Sequence, residues 1–167
     1  MSVLPYLGKS ENANLRQEDP GYHGHHRLLS VEGFKLYSDE ADLFLKAAEE
    51  RSRKILDYNG KNQNEYSTMD VTTKEGTRCS ANRAFVKLAT SRKNLEILDH
   101  GLDSTILFRN ETFYGTELIR NKNKRGPCFL RIVHASIIPF LFAHPVLTAY
   151  MVEEKAADLI RKHYGDL

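Results

Sequence analysis

No hydrophobic run in the 167 residues approaches the length of a membrane span, and the opening Met1-Ser2-Val3-Leu4-Pro5 lacks the basic start and long apolar stretch of a secretory signal. The compartment therefore stays open. Neither sign of charge dominates: 24 Lys+Arg against 22 Asp+Glu leave +2, too balanced for nucleic acid or an anionic membrane as the main partner. Cysteine is scarce. Cys79 and Cys128 are a lone pair in a chain without a signal and read as two reduced core thiols. Internal repeats and low-complexity tracts are absent, and so is any Gly-x-Gly-x-x-Gly pattern of the kind that cradles a dinucleotide's pyrophosphate.

What is there reads as a folded domain. Hydrophobic residues at 41% and charged residues at 28% are ordinary for a globular chain and allow a sizeable core. Ser38 followed by Asp39 and Glu40 is an N-cap with acids in the first turn, and Ala41, Phe44, Leu45 and Ala48 recur at helical spacing. That helix is expected over Ser38 to Leu56, before the turn at Asn59-Gly60. A second, Ser80 to Ser91, has Ser80 as its cap and the stripe Ala81, Ala84, Phe85 and Leu88.

From Leu95 the period changes. Leu95 to Leu98, Ser104 to Phe108 and Thr112 to Ile119 read as short strands, with Arg109-Asn110-Glu111 as a hairpin turn. The polar run from Asn121 to Pro127 reads as a loop or a junction between two pieces. A last helix from about Pro145 is expected to bury Ala149, Val152, Ala156, Leu159 and Ile160 and to stop at Arg161, Lys162 and His163 ahead of Gly165. The fold class is thus α+β: helices covering a small, mostly antiparallel sheet, then a C-terminal strand and helix.

Cys128 to Pro139, read Cys-Phe-Leu-Arg-Ile-Val-His-Ala-Ser-Ile-Ile-Pro, resembles the "LRVVDASIMP" segment near the end of glucose-methanol-choline (GMC) flavin oxidoreductases, and Val152 to Ile160 resembles the helix that follows it. Val3-Leu4-Pro5-Tyr6 with Lys9-Ser10-Glu11 is similar to "VLPYFKKSED" of the glucose-dehydrogenase-like branch, and Tyr22-His23-Gly24 to its "YHGTGG". Asp57-Tyr58-Asn59-Gly60 with Gln63, then Thr73, Gly76, Arg78 and Ser80, then Arg92 with Asn94-Leu95, continue the likeness in order. The resemblance implies two portions: residues 1–124 like the substrate-domain part of such an enzyme, and 127–167 like its C-terminal segment from the FAD-binding α/β domain. A truncated or internally deleted member is the expectation.

What the resemblance implies about chemistry is FAD-dependent oxidation of a CH–OH group in a small alcohol or sugar, the hydroxyl proton passing to a histidine base while hydride passes to the flavin. It places His144 where the catalytic histidine's partner falls, and Asp103, His134, Ala135 and Ser136 beside the cofactor. The alternative is a non-catalytic fragment or interaction protein derived from such an enzyme. Val152, Ala156, Leu159 and Ile160 would then lack part of their partner, and oligomerisation or aggregation through that surface follows. His23, His25 and His26 invite a metal reading, but no nearby Cys or paired acid completes a set, so they read as an exposed glycine-loop cluster without metal.

Overall fold

Pro5 lies in the first turn of helix α1 (Leu4–Ser10), where its missing N–H costs nothing. The computed structural model describes residues 3–34, 38–120, 123–128, 131, 133–138 and 145–165. Those residues form an α+β structure and divide into two compact units, one made of residues 1–88 and 134–167, the other of residues 89–133.

In the first unit, strand β1 (Glu11–Asn14) follows α1 directly and pairs in parallel with β2 (Leu29–Gly33), Glu11 facing Leu29 and Asn14 facing Glu32. The two-residue β3 (Asp70–Val71) adds antiparallel to β2, with Gly33 opposite Asp70. A small hairpin, β4 (Thr73–Lys74) and β5 (Thr77–Arg78), turns through Glu75 and Gly76, both at positive φ. The core is small: Leu29 and Cys79 are fully buried beside Ala84, with Phe85 and Tyr150 packed against them at a ring separation of 5.8 Å. Cys79 is a free thiol.

Helix α2 (Asp39–Glu50) starts as its sequence dictates, Ser38 Oγ accepting from the Ala41 N–H at 3.2 Å with Asp39, Glu40 and Asp42 in the first turn. It ends six residues before the expected Leu56. Ser52 takes φ 61, its N–H donates to Glu49 O at 2.8 Å, and the Arg53 N–H donates to Ala48 O at 3.0 Å. Those paired bonds form a Schellman cap in which serine occupies the left-handed position usually given to glycine. Ser52→Gly is therefore expected to stabilise the chain by about 0.5–1 kcal/mol, by removing the left-handed Cβ strain. A urea titration reads the shift in midpoint.

The second expected helix is shorter and differently wound. Ser80 Oγ accepts from the Arg83 N–H at 3.3 Å, but Asn82–Val86 is π-helical and only Lys87–Ala89 (α3) is α-helical. Of its predicted stripe Ala84 alone is buried. A 3-10 turn (Ala135–Ile137) precedes α4 (Pro145–Tyr164), which starts where predicted and stops before Gly165 at φ 79. Helix α4 docks on α1 through charge. Lys9 Nζ reaches Asp158 at 2.6 Å and Glu154 at 3.3 Å, and Lys155 Nζ donates to Tyr6 Oη at 3.0 Å. Its expected apolar stripe is only partly covered: Leu159 is 54% exposed, while Ala149, Val152, Ala156 and Ile160 are half-buried.

The second unit is a three-stranded antiparallel sheet, β6 (Leu102–Arg109), β7 (Thr112–Arg120) and β8 (Asn123–Cys128) in that order. The β6–β7 turn is the predicted one, with Asn110 and Glu111 both left-handed at φ 48 and 62, as a two-residue turn between twisted strands requires. Two expectations fail here. Leu95 to Leu98 is irregular, its alternation finding no strand partner among the described residues; residues 123–127 of the polar run are not loop but part of β8, held by backbone pairing of Arg125 with Leu118 and Cys128 with Thr116.

Candidate functional site

Three buried polar side chains of the first unit converge where β1, the loop after it and the turn after α2 meet. His23 is at the centre. Its Nδ1 lies 3.1 Å from Glu11 Oε1 and its Nε2 2.7 Å from Asp57 Oδ2, and the three side chains are only 4%, 7% and 1% exposed. Backbone donors complete the carboxylates: Glu11 Oε2 accepts from the Gly24 N–H at 2.9 Å, while Asp57 accepts from the N–H groups of Asp19 at 3.0 Å and Asn59 at 2.9 Å.

Burial opposes charging of the ring, but the hydrogen bonds to Glu11 and Asp57 outweigh it and raise the His23 pKa above 6.5. For Asp57, burial is likewise outweighed, by the donors from Asp19, His23 and Asn59, and its pKa falls below 3.8. The state is an imidazolium donating from both nitrogens to two carboxylates. Such a ring, closed off and doubly engaged, positions chain segments; it cannot reach a substrate.

This corrects the reading of the histidine loop as simply exposed. His25 is 47% exposed, 3.3 Å from Glu18, and His26 is exposed at φ 60, but His23 is buried because Glu11 and Asp57 come to it from distant segments. The signal was present in the sequence. Lys9-Ser10-Glu11, Tyr22-His23-Gly24 and Asp57-Tyr58-Asn59-Gly60 were three of the segments carrying the family resemblance, and each contributes one member. Among the described residues no group of three or more His, Cys, Asp or Glu is arranged to hold a metal ion.

The residues expected beside a cofactor lie on other elements than this cluster. His134 caps the 3-10 turn of the first unit and Ala135 and Ser136 begin it, Asp103 lies on β6 of the second, and His144 falls outside the described residues. The turn's donors are engaged internally. The Ser136 N–H donates to His134 Nδ1 at 3.2 Å, Ile137 N–H to His134 O at 3.2 Å and Ile138 N–H to Ala135 O at 3.1 Å. The Asp103 carboxylate accepts from Thr116 Oγ1 at 2.9 Å. Three consecutive N–H groups spent within the turn do not fit a phosphate of FAD.

No protein-family model matches the sequence. Individual proteins do. The chain is 35% identical over 111 residues to glucose dehydrogenase [FAD, quinone] of Drosophila melanogaster, covering 66% of this chain and 18% of that protein. It is 32% identical over 124 residues to oxygen-dependent choline dehydrogenase of Stenotrophomonas maltophilia (strain K279a), covering 72% and 22%. An FAD-dependent oxidoreductase from Chaetomium thermophilum shares the fold with a TM-score of 0.61 at 21% identity, over 74% of this chain and 24% of that one. The chain thus spans about a fifth of the length of the curated relatives it matches. Sequence likeness to two kinds of flavin dehydrogenase and a shared fold, on top of motifs in family order, place the chain in the glucose-methanol-choline oxidoreductase family.

Proposed function

We propose that these 167 residues are part of an FAD-dependent oxidoreductase of CH–OH donors, the substrate being a small alcohol or sugar, and that the chain by itself supplies framework without holding the flavin. Residues 1–124 would correspond to the substrate-domain portion and 127–167 to the C-terminal segment, with His144 in the position of the catalytic histidine's partner and Asp103 and His134 to Ser136 on the cofactor side. The observation that carries the activity is the likeness to glucose and choline dehydrogenases over 66% and 72% of this chain. The internally spent N–H groups at His134 to Ile138 support the second half of the reading, as does the absence of any Gly-x-Gly-x-x-Gly in the sequence.

The test is direct. The purified chain is incubated with FAD, desalted and examined for a flavin absorbance spectrum and for alcohol- or glucose-dependent dye reduction. No retained flavin and no turnover are expected, while stoichiometric flavin with turnover would overturn the framework reading.

A further inference from the structure

Asn59-Gly60 is the only Asn-Gly step in the sequence, and in such a pair the asparagine side chain is open to attack by the next backbone nitrogen, because glycine has no Cβ to obstruct it. The turn that carries it is closed. The Gly60 N–H donates to Asp57 O at 3.1 Å and neither Tyr58 nor Asn59 has positive φ, so Asp57 to Gly60 is a type I turn with Asn59 third. That position holds ψ near about 0°, which sets Asn59 Cβ about 120° from the Gly60 nitrogen around the Cα–C bond. Closing a ring between them needs the two eclipsed.

Two aspartates hold the turn in this shape. Asp57 Oδ1 accepts from the Asn59 N–H at 2.9 Å, and Asp19 Oδ2 accepts from the Lys61 N–H at 2.8 Å on the other side of Gly60. Asp19 is itself tied back, its N–H donating to Asp57 Oδ2 at 3.0 Å. Gly60 is buried against it: a Cβ there would overlap Asp19 Oδ2 and lie 2.8 Å from Asp19 Cγ. Asp57 Oδ2 also takes the bond from His23 Nε2 at 2.7 Å, so the turn and the histidine cluster share one oxygen.

We infer that Asn59 is a latent deamidation site, which the clasp of Asp57 and Asp19 keeps unreacted and which converts only when that clasp opens. In the step itself the Gly60 nitrogen gives its proton to hydroxide and bonds to Asn59 Cγ. The Cγ–Nδ2 bond breaks, and the amide nitrogen takes a proton from water and leaves as ammonia. A second water opens the cyclic imide, at Cγ to give aspartate or at the main-chain carbon to give isoaspartate. The isoaspartyl link puts one more carbon into the backbone between the Asn59 and Lys61 N–H groups. Their bonds to Asp57 and Asp19 cannot then both persist, and the histidine cluster loses the turn that presents Asp57.

The experiment incubates the full chain and a synthetic peptide of residues 55–64 in the same mildly alkaline buffer, and follows Asn59 by peptide mapping with mass spectrometry. Gly60 amide exchange is measured alongside by NMR. Asn59 should convert about tenfold to a hundredfold more slowly in the chain than in the peptide, by the same factor that protects the Gly60 amide, since both reactions need that N–H released. In Asp19→Ala most of this protection should vanish, whereas Asp19→Asn, whose amide oxygen can still accept from Lys61, should keep it. Conversion as fast as in the peptide, or an Asp19→Ala rate equal to the parent's, would overturn the inference. The comparison of parent chain and peptide decides even where a variant folds poorly.

Discussion

Replacing His23 by alanine will destabilise the first unit by about 3–5 kcal/mol, because it leaves two buried carboxylates without their cation. The loss is much larger than that of a surface ion pair, since Glu11 and Asp57 are almost fully covered and cannot recover solvation without opening the loop that carries them. Most of this cost is the stranded charge. The variant His23→Ala/Glu11→Gln/Asp57→Asn should therefore regain a large part of it, although it has lost all three ionised groups. Chemical denaturation of the parent and the two variants separates the ideas: equal loss in the single and triple variants would mean that packing, and not charge, makes His23 necessary. The pH dependence follows the two shifts. The raised His23 pKa supplies stability fully present below 6.5 and lost as pH rises through its folded value, and the lowered Asp57 pKa supplies stability present above 3.8 and lost as pH falls through its own. The cluster is at full strength in the mildly acidic interval between.

How much of this was legible depended on whether a feature is local. The Ser38 cap, the Asn110-Glu111 turn and the start of α4 at Pro145 are each set by a few adjacent residues and stand where the sequence places them. The end of α2 was misjudged because Ser52 carries no glycine-like signal for a left-handed cap. β1 and β2 carry no strand signal for another reason: Glu11, Ser30 and Glu32 are buried, so the alternation of polar and apolar residues that marks a half-buried strand is missing. β8 is held by backbone pairing with β7, which composition does not report. Leu95 and Ile97 show the converse, a strand-like alternation with no neighbour to pair with among the described residues. At the candidate site, His23 reads from the sequence as part of an exposed loop, since its meaning lies in Glu11 and Asp57, 12 and 34 residues away in the chain.

Gly24→Ala and Gly8→Ala should act in opposite directions although the two glycines touch. A Cβ on Gly24 would overlap the carbonyl oxygen of Gly8 and lie 2.7 Å from its carbonyl carbon and 3.0 Å from its Cα. These are backbone atoms, so no side-chain rotation relieves the clash. Nor can Gly24 step aside, because its N–H donates to Glu11 Oε2 at 2.9 Å and its carbonyl accepts from the Ala13 N–H at 2.8 Å. Overpacking of this kind costs about 1–3 kcal/mol, and displacement of the loop would weaken the His23 cluster in addition. A Cβ on Gly8 instead meets Gly24 N at 3.5 Å and Gly24 Cα at 3.6 Å, ordinary van der Waals contact. Gly8 lies within α1, where alanine is favoured over glycine by about 1 kcal/mol, so Gly8→Ala should leave stability unchanged or raise it. Thermal unfolding of both variants tests the close approach: a Gly24→Ala protein as stable as the parent would show that α1 and the histidine loop are not in contact through their backbones.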